Sequence, residues 1–465
     1  MAHIDEELTS ERRHAVHRRP RIVIAGGGVA ALEALLALRD LLDGLISIDI
    51  VAPTEEFVYR PLSVAEPFGM AEPHRFDLVG IAADHGAELH GGVVESVDHD
   101  QTLVKVRGGR ALTYDVLLIA VGARPREWLA GAIPFAGPED VQRLRALVAQ
   151  LDAGALESVV FTAPATSSWT LPLYELAMLT AARISERGLG GVQLTVATPE
   201  THALELFGPA ASRHVGELFA NRAIALKTAV RAVSLENGRL RLEPDGQIGA
   251  DRVVALPELQ GDPIPGLPRD EAGFIPVDEH GAVRGLTGVY AAGDATAYPV
   301  KQGGLAAQQA DAAAEAIAAG LGAAVEPRPF HPMLRAQMLT GLMPTYLVSG
   351  ASKDGGRESR VAFNPLWWPP SKIAGRYLAP YLAGHGSIGG ADQLVERSPL
   401  GPRAAELAAA EHEEARQVAL AFAESDAAHA DYRSALQWLD TLEQLDGLLS
   451  PAHADKRAQW RRLAH

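Results

Sequence analysis

The sequence predicts an α/β fold with two Rossmann-like units, each made of a short apolar strand, a turn, a helix and a second strand. In the first unit, residues 22–25 form an apolar strand, three glycines and a leucine-rich helix follow, and residues 46–51 form the next strand. In the second unit, apolar strands at 158–161 and 192–200 flank a helix that begins near Pro172. Strands that alternate with helices in this way are typical of a parallel sheet.

Size, charge and composition narrow the possible functions. A chain of 465 residues suggests several domains. The net charge of -16 argues against a nucleic-acid partner, which requires a basic face. The absence of cysteine excludes disulfides and thiolate chemistry, and we find no pattern of metal ligands. Residues 1–20 have mixed charge and no apolar core, so we expect a flexible tail, no transmembrane segment and a cytoplasmic location.

The first turn has the glycine pattern of a dinucleotide site. Gly26 would make the tight turn, Gly28 would let a pyrophosphate approach the backbone, and the helix that follows would direct its positive end at the phosphates. Ala31 takes the place of the third glycine. The acidic residue expected after the second strand is missing, and Glu55 or Glu56 is expected to take its role; Glu55 is the predicted cofactor-binding residue of the two.

Two later segments extend this pattern. LTYDVLLIAVGARP (112–125) contains a strand that ends in a Gly-Ala turn, and residues 285–318 contain a strand, an Ala-Gly-Asp turn and an alanine-rich helix that begins near Gly303 or Gly304. With the first glycine turn, they resemble in order and spacing the three FAD-binding segments of the pyridine nucleotide-disulfide oxidoreductase superfamily.

The resemblance implies FAD as the cofactor and gives several residues a role. Gly122 would avoid a clash with FAD, Gly293 would permit close approach, and Asp294 would bind the ribityl chain. The helix at Gly303 would direct its positive end at the flavin, and Lys301 and Gln302 would add to this effect. The predicted catalytic residue is Lys301, and the predicted cofactor-binding residues are Gly26, Gly27, Gly28, Val29, Ala30, Ala31, Glu55, Arg60, Pro61, Val94, Ala120, Val121, Gly122, Gly293, Asp294, Lys301 and Gln302.

The resemblance also implies the domain order. Two Rossmann-like dinucleotide-binding domains of the three-layer ββα type are expected, with a C-terminal interface domain and an α-helical tail. The predicted bounds are 1–20 for the tail at the N-terminus, 21–137 and 257–325 for the two parts of the FAD-binding domain, 138–256 for the second dinucleotide-binding-like domain, 326–400 for the interface domain and 401–465 for the helical extension.

The run FVYRP resembles the corresponding segment of the sulfide:quinone oxidoreductase and type II NADH dehydrogenase branch, which implies that Arg60 and Pro61 lie against FAD. In the second domain, WTLPLYELA is similar to a segment that in sulfide dehydrogenases begins with cysteine, but Trp169 stands there. Cysteine-based sulfide chemistry is therefore not expected. Trp169, Pro164 and Pro172 also hinder a pyrophosphate, so NAD(P)H as a substrate stays an open alternative.

The C-terminal third is predicted to make contacts with other parts of the molecule, with partners or with a membrane, and to contribute no catalytic residue. Residues 363–384 are rich in aromatic and basic side chains and allow three interpretations: an amphipathic helix at a membrane surface, a dimer contact, or a lid over the flavin. Gly375 and Pro380 interrupt the helical pattern and favour the last two. Residues 404–465 predict amphipathic helices that contact an oligomer or partner, and a homo-oligomer is expected.

The sequence therefore predicts an FAD-dependent oxidoreductase. It would pass two electrons from an unidentified small-molecule donor through flavin to an acceptor such as a quinone. An NAD(P)H dehydrogenase is one alternative, and a non-catalytic FAD-binding partner or regulatory protein is another.

Overall fold

The computed structural model describes residues 18–72, 74–244, 246–351, 357–385 and 449–463, together with scattered positions between 416 and 443. Residues 1–17 of the predicted tail (1–20), residues 386–415 and parts of the C-terminal extension lie outside the described residues.

The strands are β1 Arg21–Ala25, β2 Ser47–Ala52, β3 Glu56–Val58, β4 Arg75–Asp77, β5 Ala87–Gly91, β6 Val94–Asp98, β7 Leu103–Val106, β8 Arg110–Thr113, β9 Val116–Ile119, β10 Ala123–Arg126, β11 Ile133–Pro134, β12 Ser158–Thr162, β13 Gln193–Ala197, β14 Ile224–Lys227, β15 Arg231–Glu236, β16 Arg239–Glu243, β17 Gly246–Gly249, β18 Arg252–Ala255, β19 Glu258–Gly261, β20 Val289–Ala291, β21 Met333–Met338, β22 Thr345–Ala351 and β23 Arg357–Ala362. The α-helices are α1 Val29–Leu42, α2 Leu78–Asp84, α3 Val141–Asp152, α4 Leu171–Arg187, α5 Pro209–Asn221, α6 Gly303–Gly320, α7 Leu378–His385 and α8 Pro451–Leu463.

The first domain has three layers. Its parallel sheet has the order β20-β9-β1-β2-β5. Helices α1 and α6 cover one face with alanine and leucine side chains. The antiparallel sheet β6-β7-β8 covers the other face, where Val97, Val104 and Leu112 pack on Val23 and Leu117. Strands buried on both faces explain why the sequence shows continuous apolar runs here.

The second domain repeats this arrangement. Its parallel sheet has the order β11-β18-β12-β13-β14, with α4 on one face and the antiparallel sheet β15-β16-β17 on the other. The chain enters through β10 and returns through β19, and these two strands pair antiparallel. The predicted fold class, with two three-layer ββα domains, is confirmed.

A three-stranded antiparallel sheet, β21-β22-β23, follows the first domain. The chain then runs as a C-terminal strap (residues 367–377) back over both domains. Only α7, Leu378–His385, is helical within 363–385, because Pro369, Pro370 and Gly375 interrupt the helical pattern. Trp367, Lys372 and Ile373 are buried, so the structure does not contain the amphipathic surface helix that was one of the three interpretations.

The C-terminal extension has its own apolar cluster, in which Ala423, Ala435, Leu439, Leu442 and Trp460 are buried. Lys456 and Arg457 of α8 pair with Glu424 and Glu443 across this cluster. Among the described residues, no helix is both long and apolar enough to cross a membrane.

Candidate cofactor site

Three turns meet at one edge of the first sheet, outside the carboxyl ends of its parallel strands. They follow β1, β9 and β20, which are neighbours in the sheet. Backbone hydrogen bonds continue the pairing into the turns, since Ala120 N donates to Ala25 O at 2.7 Å and Ala292 N donates to Ile119 O at 3.0 Å. Open α/β sheets bind ligands in this position, where the strand order reverses.

The first turn combines tight packing with open space. A Cβ on Gly26 would lie 2.1 Å from Ala120 O, and Gly26 has a φ of +135° that side chains rarely adopt. A Cβ on Gly27 would lie 2.7 Å from Leu78 and 2.9 Å from Ala52. A Cβ on Gly28, in contrast, would meet nothing within 4 Å. Gly28 precedes α1 and has no side chain that could cap it, so the first N-H groups of α1 receive no side-chain hydrogen bond from this residue.

The third turn packs between the two helices of the first domain. A Cβ on Gly293 would lie 3.1 Å from Ala30 of α1 and 3.3 Å from Ala306 of α6. Gln309 fixes the turn from α6, because its Oε1 accepts from Gly293 N at 2.8 Å and from Thr296 Oγ1 at 3.2 Å. The glycine at this position is therefore required by close packing.

Asp294 presents a half-buried carboxylate at the same edge. Burial raises its pKa, while the charges of Lys301 and Arg60 act in the opposite direction. Within the described part of the chain, no group donates a hydrogen bond to this carboxylate. Buried carboxylates need donors, and the hydroxyl groups of a ribityl chain would supply them. With the open helix end at Gly28, this acceptor fits FAD, whose phosphates would lie at α1 and whose ribityl chain would lie at Asp294.

Lys301 and Gln302 lie just before α6, as the sequence predicts, but their side chains point in different directions. The Lys301 ammonium donates to Thr296 O and lies 3.6 Å from the centroid of the Phe274 ring. Gln302 caps α6, since its Oε1 accepts from Leu305 N at 2.8 Å and its Nε2 donates to Arg335 O at 3.2 Å. Gln302 therefore contributes to the site by orienting the helix.

The other predicted residues lie around this edge with varied exposure. Glu55 is exposed three residues after β2. Arg60 is exposed and pairs with Glu139 at 3.4 Å. Gly122 has a φ of +77° and no neighbour within 4 Å of an added Cβ. The remaining members are half-buried or buried: Val29, Ala31, Pro61, Val94, Ala120 and Val121.

The strap closes one side of this edge. The side chain of Ile373 packs on Gly303, the first residue of α6, so that a Cβ added to Gly303 would lie 3.0 Å from it. Tyr59, which is fully buried, accepts a hydrogen bond from Ile373 N at 3.0 Å. Tyr59 immediately precedes the Arg60-Pro61 pair, so the strap joins two of the predicted cofactor segments. These contacts favour the lid interpretation of residues 363–384.

A buried ion pair ties the strap to the second domain. Lys372 Nζ lies 2.5 Å from Glu175 Oε1, and the same oxygen accepts from Leu339 N at 2.8 Å. Burial raises the pKa of Glu175 and lowers that of Lys372, and the attraction between the two charges opposes both shifts. The pair therefore joins α4 and the strap to the end of β21 in the antiparallel sheet β21-β22-β23.

In the second domain, the chain itself fills the corresponding edge. Trp169 packs on Phe207 with a ring separation of 5.9 Å, and Ser168 Oγ donates to Pro299 O of the first domain. Glu200 follows β13, and its carboxylate accepts from Tyr174 OH at 2.6 Å and from Glu205 N at 3.0 Å. An acidic residue after the second strand of such a domain can bind a ribose, but here internal donors engage both of its oxygens.

Four features of the site were not predicted from the sequence: Gln309, Tyr59, Phe274 and the Lys372–Glu175 pair. A weak signal existed for Gln309, which is polar within an otherwise alanine-rich helix, and for Tyr59, which adjoins Arg60. Phe274 and the ion pair join distant parts of the chain, so no local pattern identifies them.

One cluster of possible metal ligands is already engaged. Asp49, Glu88 and His90 each place one ligand atom within 4.8 Å of the others. Arg21 donates two hydrogen bonds to Asp49, and His90 lies between Asp49 at 2.5 Å and Arg110 at 2.6 Å. We interpret this cluster as an ion-pair network.

Comparisons with known proteins agree with this geometry. No family model matches the chain. The sulfide-quinone reductase of Aquifex aeolicus (strain VF5) is 26% identical over 257 residues, which are 52% of this chain and 59% of that protein. The chain thus matches less than two thirds of the length of this curated relative.

Solved structures extend the similarity over more of the chain. The sulfide:quinone oxidoreductase from Aquifex aeolicus superposes with a TM-score of 0.69 at 18% identity, covering 80% of this chain and 92% of that one. NDH2 from Plasmodium falciparum in complex with NADH gives a TM-score of 0.51 at 15% identity, covering 60% and 65%. Sequence and fold similarity agree with the predicted relationship: half of this cysteine-free chain is similar in sequence to the sulfide-quinone reductase of Aquifex aeolicus, and most of it has the fold of the sulfide:quinone oxidoreductase from the same organism.

Proposed function

We propose that this chain is an FAD-dependent oxidoreductase that passes two electrons from a small-molecule donor to an acceptor such as a quinone, without cysteine-based sulfide chemistry. The observation that carries the proposal is the convergence of three turns, from residues 26–28, 120–122 and 293–294, at one sheet edge. FAD, when bound, supplies two-electron redox chemistry that no side chain of this chain provides.

The residues of the chain would bind and polarise the cofactor. The N-terminus of α1 beside Gly28 would bind the diphosphate, and Asp294 would accept hydrogen bonds from the ribityl chain. The N-terminus of α6, capped by Gln302, and the ammonium of Lys301 would stabilise negative charge on the flavin. The strap at Ile373 would exclude water from that side.

The name of the sulfide-quinone reductase supports a quinone as the acceptor. The same name does not carry sulfide over as the donor, because no thiolate is available at Trp169 or anywhere else in the sequence. We therefore propose a donor that reduces flavin directly.

An NAD(P)H dehydrogenase is the second candidate, and the similarity to NDH2 in complex with NADH favours it. The edge of the second domain argues against it. Trp169 occupies the turn, Pro172 removes one N-H from the start of α4, and Glu200 is engaged by Tyr174. We expect any affinity for NAD(P)H to be weak.

Spectroscopy of the purified protein tests both candidates. We expect a yellow protein with the flavin absorption near ~450 nm, either as purified or after addition of FAD. Anaerobic mixing with NADH or NADPH should leave this absorption unchanged over seconds. After the protein has been reduced with dithionite, addition of a water-soluble quinone should restore the absorption. A protein that stays colourless with excess FAD would exclude both candidates, and rapid bleaching by NADH would replace the first with the second.

A further inference from the structure

The ammonium of Lys301, which lies just before α6, contacts two groups on other segments of the chain. It donates a hydrogen bond to Thr296 O and lies over the face of Phe274, 3.6 Å from the ring centroid. These groups are adjacent because Ile275 and Thr296 form a parallel bridge. The side chain of Lys301 is largely buried, with 8% of the residue exposed. A desolvated cation over an aromatic face gains more from this contact than an exposed one.

The backbone around Phe274 fixes the position of its ring. Phe274 N donates to Asp270 Oδ1 at 2.8 Å, and Asp270 N donates to Phe274 O at 2.8 Å. A Cβ on Gly261 would lie 2.1 Å from Gly273 O, so the turn before Phe274 packs directly against the end of β19. The ring is also buried, with 9% exposed. Phe274 therefore has little freedom to move away from Lys301.

The charges that face Lys301 come from two elements. Asp294 belongs to the third turn of the cofactor site, and Asp270 belongs to the loop that carries Phe274. Burial lowers the pKa of Lys301 to about 8, and these two carboxylates act in the opposite direction. The ammonium has three N-H groups. Thr296 O and the Phe274 ring engage two of them, and one is left for Asp294 or for a ligand at this edge.

We propose that Phe274 is a positioning residue: its ring and the carbonyl of Thr296 hold the Lys301 ammonium as a fixed positive charge beside Asp294. The consequence for flavin chemistry rests on the proposed function, because a fixed cation would bind reduced, more negative flavin better than oxidised flavin. The contact itself is a property of the chain alone, and it is testable without cofactor.

The test measures the protonation of Lys301 directly. The chain has six lysines, so the full-length protein labelled with 13C at lysine Cε should give six signals, and Lys301→Arg identifies the relevant one. Phe274 is then replaced by phenylalanine with one, two or three ring fluorines, which keep its shape and progressively weaken the ring's attraction for a cation. We expect the midpoint of the Lys301 titration to fall along this series. For the trifluorinated ring, the ratio of neutral to charged amine should rise roughly tenfold at constant pH.

The same fluorination at Phe330 is the matched control. Phe330 is an aromatic residue of the same region, but it packs edge-on against Tyr298 at 5.1 Å instead of contacting Lys301. It should leave the Lys301 titration unchanged. A titration that is equally constant along the Phe274 series would overturn the proposal.

A second measurement separates this proposal from the proposed function. In protein loaded with FAD, the Phe274 series should weaken binding of reduced FAD more than binding of oxidised FAD, and equal weakening would contradict the electrostatic role. If the Lys301 titration moves but the protein binds no FAD, Phe274 still positions Lys301 and the oxidoreductase function is excluded.

Discussion

Substitutions at two glycines of the first turn should affect different properties of the protein. A change at Gly26 should lower its stability, and a change at Gly28 should weaken cofactor binding. We expect Gly26→Ala to destabilise the cofactor-free protein, because its Cβ would lie 2.1 Å from Ala120 O at a φ of +135°. Overpacking costs about 1–3 kcal/mol and a disallowed backbone conformation about 1–3 kcal/mol more, so the free energy of unfolding should fall by about 4 kcal/mol. Urea denaturation of the cofactor-free variant measures this loss.

Gly28→Ala should behave in the opposite way. Nothing lies within 4 Å of the added Cβ, so the stability of the cofactor-free protein should change by less than about 0.5 kcal/mol. The Cβ would occupy the space through which a diphosphate approaches the α1 N-H groups. Loss of one charge-assisted hydrogen bond costs about 1.5–3 kcal/mol, and the Kd for FAD should therefore rise about 10- to 100-fold.

Gly154→Ala is the control for backbone conformation alone. Gly154 has a φ of +66° with nothing within 4 Å of an added Cβ, and a left-handed alanine costs about 1–2 kcal/mol. The reasoning fails if Gly28→Ala destabilises the cofactor-free protein as much as Gly26→Ala, or if it binds FAD as tightly as the parent protein.

Three further predictions concern stability. Lys372→Met should cost about 3–5 kcal/mol in urea denaturation, because it leaves the buried Glu175 carboxylate without its cation; combined replacement with Glu175→Leu should recover most of this loss, and a double variant as unstable as the single one would contradict the explanation. Burial and the neighbouring Glu33 raise the pKa of Asp311 well above its usual range, so its favourable contribution is complete below a pH of about 4 and is lost as the pH rises through its folded-state pKa. Asp311→Asn should therefore stabilise the protein more at pH 8 than at pH 5, as measured by thermal denaturation. Arg376 and Glu315 are the other charged groups near Asp311. An equal effect at both pH values would disprove the assignment. Truncation after residue 400 should leave the Kd for FAD unchanged, since the apolar side chains of the extension form their own cluster, whereas a large loss of affinity would show that the extension supports the site.

The sequence was sufficient for the parts of the fold that depend on local patterns. Apolar runs gave β1, β2 and β12 to within a residue or two, and the start of α6 at Gly303 was predicted correctly. The glycine turns were recognisable because a positive φ or a close backbone contact leaves few other residues possible, as at Gly26. Apolar runs were therefore sufficient to predict these strands, and steric requirements were sufficient to predict the glycine turns.

The contacts between distant segments could not be predicted in the same way. Lys372 and Glu175 are 197 positions apart, and neither residue type indicates burial on its own. The strap was ambiguous because aromatic and basic residues suit a membrane surface and a buried lid equally well. Its path is determined by partners such as Tyr59 and Gly303, which only the assembled structure brings together.

The antiparallel pairing of β10 with β19 has a consequence for protein engineering. The chain leaves the first domain at Ala123 and returns opposite it at Gly261, and Arg126 faces Glu258 at the far end of the same ribbon. Directly opposed residues of an antiparallel pair have Cα atoms only about 5 Å apart, so a two-residue hairpin could join Arg126 to Glu258 and bypass the 131 intervening positions. Such a shortened gene would encode a scaffold that keeps all three turns of the sheet edge, once polar residues replace the apolar side chains of the strap and of residues 60–68 that the excision uncovers.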